Sequence, residues 1–369
     1  MRLLIATPLY PPDIGGPATY AKLLNEGLPA KGIDVELIKF SEVRHLPKLI
    51  RHYVYYRRVL AVARNVDIIL ALDPVSVGLP AMKAARKAGK PFVVKIVGDY
   101  AWEQGVQRFG VTHTLDEFVK TTQTSPFVVK LQEIQKSVAE AANGIIVPSQ
   151  YLKGVVTQWG IDPKKIQVIY NAVLTDTIGQ IPDTVRKLPR PLIVTVGRLV
   201  SWKGIEGLIR VFDGLWSAHR EGSSATLVIV GSGPEEKALK NYAEKLGIED
   251  HCVFIGELSH PDTLAVMKVA DVFVLNSSYE GLSHTLIEAL QLGACIVATN
   301  AGGNPEIIAR GEGILINVGD ERFLASSLKM LIEHQEKRIQ FSSAAKGSAK
   351  RFSLETMLAR TADFLTEQQ

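Results

Sequence analysis

The chain has 369 residues, of which 46% are hydrophobic and 22% charged, and its formal net charge is +4. This composition is that of a globular protein, and it excludes disordered, collagen-like and low-complexity chains. Because the length exceeds the usual size of a single hydrophobic core, it predicts two domains.

Short apolar segments rich in β-branched residues alternate with segments of helical periodicity from the N-terminus onward. This alternation is typical of a doubly wound parallel sheet with helices on both faces. In the first half, buried strands are predicted at residues 2–7, 35–40, 67–72, 92–97, 144–149 and 165–173.

The segment "IPDTVRKLPRP", residues 181–191, contains three prolines and is predicted to be a linker after a first domain of residues 1–180. A second domain, residues 192–352, follows with a new series of strand-like segments. The predicted fold class is therefore α/β, with two Rossmann-like domains that face one another and a ligand in the interdomain cleft, at the carboxyl ends of the strands. Residues 353–369 are predicted to form a terminal helix with Ser353 as its N-cap, packing back on the N-terminal domain.

Two cysteines, Cys252 and Cys295, lie far apart in apolar segments, so the sequence predicts no disulfide framework and a reducing cytoplasm. The apolar start of the chain is too short to predict a secretory signal. No segment approaches the roughly 20 apolar residues of a membrane span.

A basic segment between Arg44 and Arg64 contains six cationic residues and no acidic one, interleaved with leucines and tyrosines. It is compatible with a helix that lies on an anionic membrane, which would place the protein at the inner face of that membrane. The alternative is a solvated helix whose apolar face belongs to the core. This alternative is favoured, because a run of like charges usually forms a solvated helix face. No nucleic-acid-binding module accompanies the segment, so a nucleic-acid partner is not predicted.

The most informative segment is "SSYEGLSHTLIEALQLG", which places Glu280 and Glu288 around the start of an amphipathic helix. Between them, small residues expose backbone N–H groups at a helix N-terminus, which favours a diphosphate. Glu280 can accept hydrogen bonds from sugar hydroxyls, and Glu288 from a ribose diol. Glu288 is also explained as an acidic residue that the helix dipole favours.

A second segment, "VGRLVSWKG", places Arg198 and Lys203 between a strand and a helix. Arginine binds phosphate oxygens through its planar fork, and lysine adds a mobile point charge. These residues are therefore predicted to stabilise a departing diphosphate, the alternative being two surface cations near a turn.

In the first half, Gly15 and Gly16 lie between the first strand and the first helix. They allow either a close approach of the backbone to a ligand or a turn that needs positive φ. Asp99 follows a predicted strand, and it can orient an acceptor hydroxyl and take its proton, or cap a helix. No G-x-G-x-x-G motif occurs, which weakens a dinucleotide interpretation. No Asp-x-Asp or His/Cys cluster has metal-ligand spacing, so neither a metal nor another cofactor is predicted.

Taken together, "IGGPATY", "VGRLVSWKG", "VGSGPEEKAL", "SSYEGLSHTLIEAL" and "NAGGNPEII" resemble the retaining nucleotide-sugar glycosyltransferases of family GT4, within the GT-B fold. The resemblance covers nearly the whole chain and is strongest in the second half. It implies transfer of a hexose or hexosamine from a UDP- or GDP-sugar to a lipid-linked or polysaccharide acceptor.

The resemblance also assigns roles to individual residues. It implies that Arg198 and Lys203 hold the diphosphate and that Glu288 holds the ribose. Many family members carry a His where this chain has Gly98-Asp99, and others use Asp there. The remaining donor-binding residues that it implies are Gly15, Gly16, Asn171, Leu258, Glu280, Gly281, Leu282, Ser283 and His284.

Three other functions remain open at the level of sequence. A sugar-nucleotide epimerase of similar shape would need no acceptor. A nicotinamide-dependent oxidoreductase shares the alternation of strands and helices, and a catalytically silent binder would keep the phosphate site.

Overall fold

The computed structural model describes residues 1–13, 15–217, 225–308 and 310–369. Each apolar segment that was predicted to be a strand forms one, and the two-domain α/β prediction is confirmed. The strands in these residues are β1 (Arg2–Thr7), β2 (Asp34–Lys39), β3 (Ile68–Ala71), β4 (Phe92–Lys95), β5 (Gly144–Val147), β6 (Ile166–Val168), β7 (Leu192–Val196), β8 (Thr226–Val230), β9 (Cys252–Gly256), β10 (Val272–Leu275), β11 (Ile296–Thr299) and β12 (Gly313–Ile316).

Helices connect the strands, and several begin at a serine whose hydroxyl accepts a hydrogen bond from a backbone N–H of the first turn, including the predicted cap Ser353. In the described residues, no helix is both long and apolar enough to span a bilayer. The helices are α1 (Gly16–Gly27), α2 (Lys48–Ala63), α3 (Gly78–Ala88), α4 (Tyr100–Arg108), α5 (Leu115–Phe118), α6 (Pro126–Ala141), α7 (Gln150–Gln158), α8 (Asp183–Arg186), α9 (Ile205–Ser217), α10 (Glu236–Leu246), α11 (His260–Lys268), α12 (His284–Leu292), α13 (Asn304–Ile308), α14 (Glu321–Glu333), α15 (Gln335–Ser348) and α16 (Leu354–Glu367).

The strands form two parallel sheets, with the orders β2-β1-β3-β4-β5-β6 and β12-β11-β10-β7-β8-β9. Most central strands are buried along their whole length, as expected for parallel strands covered on both faces. In each sheet the direction of winding reverses beside the first strand, between β1 and β3 and between β7 and β10. Such switch points are where open parallel sheets bind ligands.

The chain divides into two compact units, one of residues 1–172 and 352–369 and the other of residues 173–351. Residues 181–191, which the sequence suggested as a linker, lie within the second unit. The first proline of this segment, Pro182, is the N-cap of the short helix α8. Val185 of that helix is buried beside Leu192 and Val194 of β7.

The terminal helix α16 belongs to the first unit. Its buried residues Met357 and Leu365 share a hydrophobic cluster with Leu3 and Ile5 of β1. A fully buried leucine contributes about 1.5–3 kcal/mol, so this contact fixes the helix to the unit.

Candidate functional site

The switch point of the second sheet gathers loops from several strands at one edge. The loop after β7 carries Arg198 and Lys203, and the loop after β10 carries Glu280 and leads into α12. Since β7 and β10 are neighbours in the sheet, their loops meet at its carboxyl edge. Residues that are 77 positions apart in the sequence thereby come into contact.

Lys203 and Glu280 form an ion pair at this edge, with Nζ 2.5 Å from Oε1. Both side chains are largely buried, with exposed fractions of 18% and 11%. The aliphatic part of Lys203 runs over Gly197, where a Cβ atom would lie 3.7 Å from Cε. The structure therefore brings together the predicted phosphate-binding lysine and the predicted sugar-binding carboxylate.

A glycine fixes the backbone on each side of the pair. Gly204 ends the turn of Lys203 with φ +63°, and its carbonyl accepts a hydrogen bond from Nδ2 of Asn276 at 2.8 Å. Gly302 has φ +53°, and a Cβ there would overlap the carbonyl oxygen of Glu280. That carbonyl also accepts a hydrogen bond from the N–H of Gly303 at 2.9 Å.

Arg198 is on the same loop as Lys203, but its side chain is exposed. It forms no ion pair with any residue that the structure describes. Its backbone is held because the N–H of Leu199 donates to Ser232 in the neighbouring glycine loop at 2.9 Å. The guanidinium is therefore a cation at the sheet edge whose charge is not neutralised by a carboxylate in the described ranges.

The glycines of "VGSG" contact this loop too. A Cβ at Gly231 would overlap the Gly197 carbonyl, and one at Gly233 would meet the backbone of Leu199. These glycines therefore allow two loops of the protein to pack closely. This explains a glycine-rich motif that lacks the dinucleotide-binding pattern.

The N-terminus of α12 lies next to Glu280 in the chain. Ser283 caps it, accepting a hydrogen bond from the N–H of Leu286 at 3.2 Å. Gly281, Leu282 and Ser283 are buried, and His284 is the first residue of the helix. The helix start supplies partial positive charge beside the Lys203 and Glu280 pair.

Glu288, in the second turn of α12, pairs with His260, a residue that the sequence analysis did not identify. The distance from Nε2 to Oε1 is 2.8 Å, and the exposed fractions of the two side chains are 51% and 11%. The hydrogen bond to the carboxylate raises the pKa of His260 above its ordinary value. The only sequence signal was Ser259, a helix cap that places His260 in the first turn of α11.

Leu258, the predicted neighbour of the nucleobase, stands between β9 and α11, two residues before His260 in the chain. It is half-buried and packs on a cluster that includes Val230 and Val266. Part of its side chain therefore packs on the core, and part is exposed to solvent.

No group of three or more His, Cys, Asp and Glu side chains is placed to hold a metal ion in the described parts of the chain. The positive charge at this edge comes from Arg198, Lys203 and the start of α12.

In the first unit, Gly15 precedes α1 with φ +134°, and its carbonyl accepts hydrogen bonds from the N–H groups of Ala18 and Thr19. A Cβ there would meet only side-chain atoms at 3.8 Å or more. Backbone conformation, rather than crowding, therefore accounts for Gly15. Gly16 is the first residue of α1, and Ile14 lies outside the described residues.

Asp99 is the N-cap of α4. Oδ1 accepts a hydrogen bond from the N–H of Trp102 at 2.9 Å, and Oδ2 accepts one from Nε1 of Trp159 at 3.1 Å. The side chain is buried, and burial raises the pKa of its carboxyl group. Of the two interpretations from the sequence, the geometry favours the helix cap, because both oxygens already have donors.

Asn171 is buried near the end of the first unit, and Oδ1 accepts a hydrogen bond from Nζ of Lys95 at 2.7 Å. Nζ of Lys95 also lies 3.5 Å from the centre of the Tyr20 ring. Burial lowers the pKa of Lys95 well below its ordinary value. The structure thus gives Asn171 an internal partner.

The basic segment forms α2, and its apolar face is core, since Tyr55 and Val59 are buried. The opposite face is not only solvated charge, because Ile50 and Tyr53 are more than half exposed. The side chain of Lys48 lies outside what the structure describes. A groove of about 690 Å³ runs between α2 and α3, and its lining residues are His52, Tyr53, Tyr56, Leu79, Pro80, Lys83, Arg86 and Lys87.

Comparisons with known proteins cover both units. Residues 14–177 match the family described as Glycosyltransferase Family 4, and residues 179–348 match Glycosyl transferases group 1. A similar structure is that of HepE from Anabaena in complex with UDP-glucose, with a TM-score of 0.76 at 20% sequence identity over 100% of both chains. This likeness shows the fold, which is GT-B.

Two curated relatives are similar over part of their sequences. One is the N-acetylgalactosamine-N,N'-diacetylbacillosaminyl-diphospho-undecaprenol 4-alpha-N-acetylgalactosaminyltransferase of Campylobacter jejuni, 30% identical over 54% of this chain and 53% of the relative. The other is the GDP-mannose-dependent alpha-(1-6)-phosphatidylinositol monomannoside mannosyltransferase of Mycobacterium tuberculosis, 29% identical over 48% and 47%. The chain spans about half the length of the curated relatives it matches.

Proposed function

The chain belongs to the glycosyltransferases of family GT4, and we propose on that premise that it transfers a hexose or hexosamine from a nucleotide diphosphate sugar to a lipid-linked or polysaccharide acceptor. The anomeric configuration of the sugar is retained. No divalent ion is required, because fixed cations of the second unit bind the diphosphate.

The observation that carries this proposal is the contact between Lys203 and Glu280 at the switch point of the second sheet. A cation and a carboxylate side by side match a ligand that has phosphate next to sugar hydroxyls. The start of α12 adjoins them and adds partial positive charge. Arg198 contributes a further cation at the same edge.

The nucleoside part of the donor binds along α11 and α12. The Glu288 carboxylate accepts hydrogen bonds from the ribose hydroxyls, and the open surface of Leu258 contacts the base. The similar structures of HepE contain UDP and UDP-glucose, which supports a nucleotide of this class.

In the reaction, the acceptor hydroxyl forms a bond to the anomeric carbon on the face from which the diphosphate departs. The bond from that carbon to the phosphate oxygen breaks, and its electron pair stays on the diphosphate. The acceptor proton passes to that oxygen. Arg198, Lys203 and the helix N–H groups stabilise the negative charge that develops there, the kind of interaction that commonly dominates enzymatic rate enhancement.

Retention through a covalent intermediate would need a carboxylate nucleophile beneath the anomeric carbon. Glu280 is held by Lys203 and is assigned here to the sugar hydroxyls. Asp99 is assigned to fixing the start of α4 in the first unit, from which it shapes the acceptor region without contact with the reacting atoms.

The lipid-linked acceptor is supported by the names of the two relatives, one of which contains diphospho-undecaprenol and the other phosphatidylinositol. The exposed Ile50 and Tyr53 beside the cations of α2 and α3 support contact with an anionic membrane. Vesicles with and without anionic lipid, at low salt, test this part, and equal binding to both contradicts it.

The central test is a thermal-shift screen of UDP-, GDP- and ADP-sugars, since a ligand that binds only the folded state raises its melting temperature. The best donor is then incubated with candidate acceptors in the presence and absence of EDTA, and the product is analysed by NMR. We expect a retained anomeric centre and equal rates in both conditions. Conversion of the donor sugar without an acceptor would instead indicate an epimerase.

A further inference from the structure

His260 and Glu288 form a hydrogen-bonded pair between helices α11 and α12, in which the glutamate is mostly buried. Ser259 caps α11 and accepts a hydrogen bond from the N–H of Asp262 at 3.2 Å, which places His260 at the first helical position. Helices α11 and α12 pack against one another, so the imidazole reaches the second turn of α12. The two residues meet although 28 positions separate them.

The pair is asymmetric in its exposure. The side chain of Glu288 is 11% exposed and that of His260 is 51% exposed. A carboxylate that is mostly removed from water is costly unless a donor satisfies it. Among the residues that the structure describes, His260 is the one side chain that donates to Glu288.

The imidazole engages one carboxylate oxygen only. Nε2 lies 2.8 Å from Oε1, and Oε2 has no hydrogen-bond partner in the described ranges. A carboxylate has about four lone-pair positions, so three remain for a ligand. By holding Oε1, the imidazole also fixes the rotation of the carboxylate plane about the last side-chain bond.

We infer that His260 is a positioning residue of the ribose site, which orients Glu288 to accept both hydroxyls of a ribose and so selects ribonucleotides over 2'-deoxyribonucleotides. This inference rests on the proposed function, because it assumes that Glu288 faces the nucleoside. One carboxylate can accept hydrogen bonds from both ribose hydroxyls only if its plane is held in a defined orientation. A freely rotating Glu288 would still accept a single hydroxyl, and discrimination would be lost.

The test measures dissociation constants by calorimetry for UDP and 2'-deoxy-UDP, and for GDP and 2'-deoxy-GDP. A hydrogen bond to a charged group changes an equilibrium by roughly 10- to 100-fold, so we expect the wild-type protein to prefer the ribonucleotide by about that factor. His260→Ala should bring the ratio close to one, mainly by weakening the ribonucleotide. Glu288→Gln should do the same.

Two further variants separate positioning from simple loss of structure. His260→Gln retains an N–H donor within reach of Oε1 and should recover most of the discrimination. His334→Ala is the matched control, because His334 also pairs with a glutamate, Glu336, at 3.1 Å, but both of those side chains are more than half exposed. This control should leave the ratio unchanged.

The outcomes distinguish this inference from the proposed function. If the wild-type protein binds none of the four nucleotides, the proposed function fails. If it binds them and His260→Ala keeps the wild-type ratio, only the role of His260 is refuted. Because the imidazole is half exposed, the alanine variant removes little buried area. Should it fail to fold, His260→Leu and His260→Gln carry the same comparison, with loss of discrimination expected only for leucine.

Discussion

The ion pair between Lys203 and Glu280 makes Lys203→Ala an informative substitution, because its effects on stability and turnover have different causes. Removing the ammonium leaves the Glu280 carboxylate, 11% exposed, without its cation. A lost hydrogen bond to a charged group costs about 1.5–3 kcal/mol. A domain with the usual 5–15 kcal/mol of stability remains folded after such a loss.

Turnover should fall much further than this stability loss explains. Removing one preorganised group that stabilises charge in the transition state costs roughly 100- to 1000-fold in kcat. The variant is therefore expected to be folded at 25 °C and nearly inactive. Chemical denaturation gives the free energy of unfolding, and steady-state assays with saturating donor give kcat.

The double variant Lys203→Ala, Glu280→Gln separates the two effects. Replacing the unpaired carboxylate by a neutral amide should recover part of the lost stability, since the buried charge has gone. It should recover no activity. Recovery of turnover together with stability would show that the lysine acts only through folding, and this would refute the assignment to the diphosphate.

A surface ion pair of similar geometry provides the control. Lys240 and Glu236 are 2.7 Å apart on α10, with exposed fractions of 45% and 31%. Lys240→Ala should change stability by less than about 1 kcal/mol and leave turnover unchanged.

Three further substitutions test buried charges and a glycine of the fold. Burial lowers the pKa of Lys95. Between that lowered pKa and the ordinary lysine value of 10.5, this side chain binds more protons in the unfolded chain than in the folded one, so stability rises with pH in that window. Lys95→Met should abolish this rise, which chemical denaturation at several pH values measures. Arg351→Met should cost about 3–5 kcal/mol, because it leaves the fully buried Glu312, 2.6 Å from the guanidinium, without its cation, and a cost below 1 kcal/mol would contradict this. Gly302→Ala should destabilise the protein by more than the 1–2 kcal/mol of a left-handed backbone alone, whereas Gly319→Ala, at φ +80° with open space around it, should cost only that amount.

The strands could be predicted from the sequence because helices cover both faces of a parallel sheet. Both faces of such a sheet are buried, so each strand carries a continuous run of apolar residues that the sequence displays directly. The predicted linker, residues 181–191, lies instead within the second compact unit. Prolines interrupt regular structure, but Pro182 here begins a short helix that packs on β7.

The site was only partly predictable. Arg198, Lys203, Glu280 and Glu288 stand out because each lies near a strand end or a helix start, which a sequence can reveal. The pairing of Lys203 with Glu280 depends on β7 and β10 being neighbours in the sheet. That adjacency follows from tertiary packing, which local periodicity does not encode.

Two residues show the limits of local interpretation. His260 reaches Glu288 only because α11 packs on α12, and a lone histidine after a serine cap gives no sign of that contact. Asp99 follows a strand and precedes a helix, a position shared by helix caps and acceptor-binding carboxylates. Only the hydrogen bonds to Trp102 and Trp159 separate these alternatives.

The arrangement around Lys203 also indicates how its charge is used. An ammonium group has three N–H donors, and Glu280 accepts from one, so Lys203 can bind a phosphate oxygen without leaving the carboxylate. The pair as a whole carries no net charge, which limits its attraction for a diphosphate at long range. That attraction must come from groups whose charge is not neutralised, namely the exposed Arg198 and the start of α12. On the proposed function, we therefore expect Lys203 to act at contact distance by orienting the diphosphate against the sugar, while Arg198 supplies the field that draws the donor to the edge of the sheet.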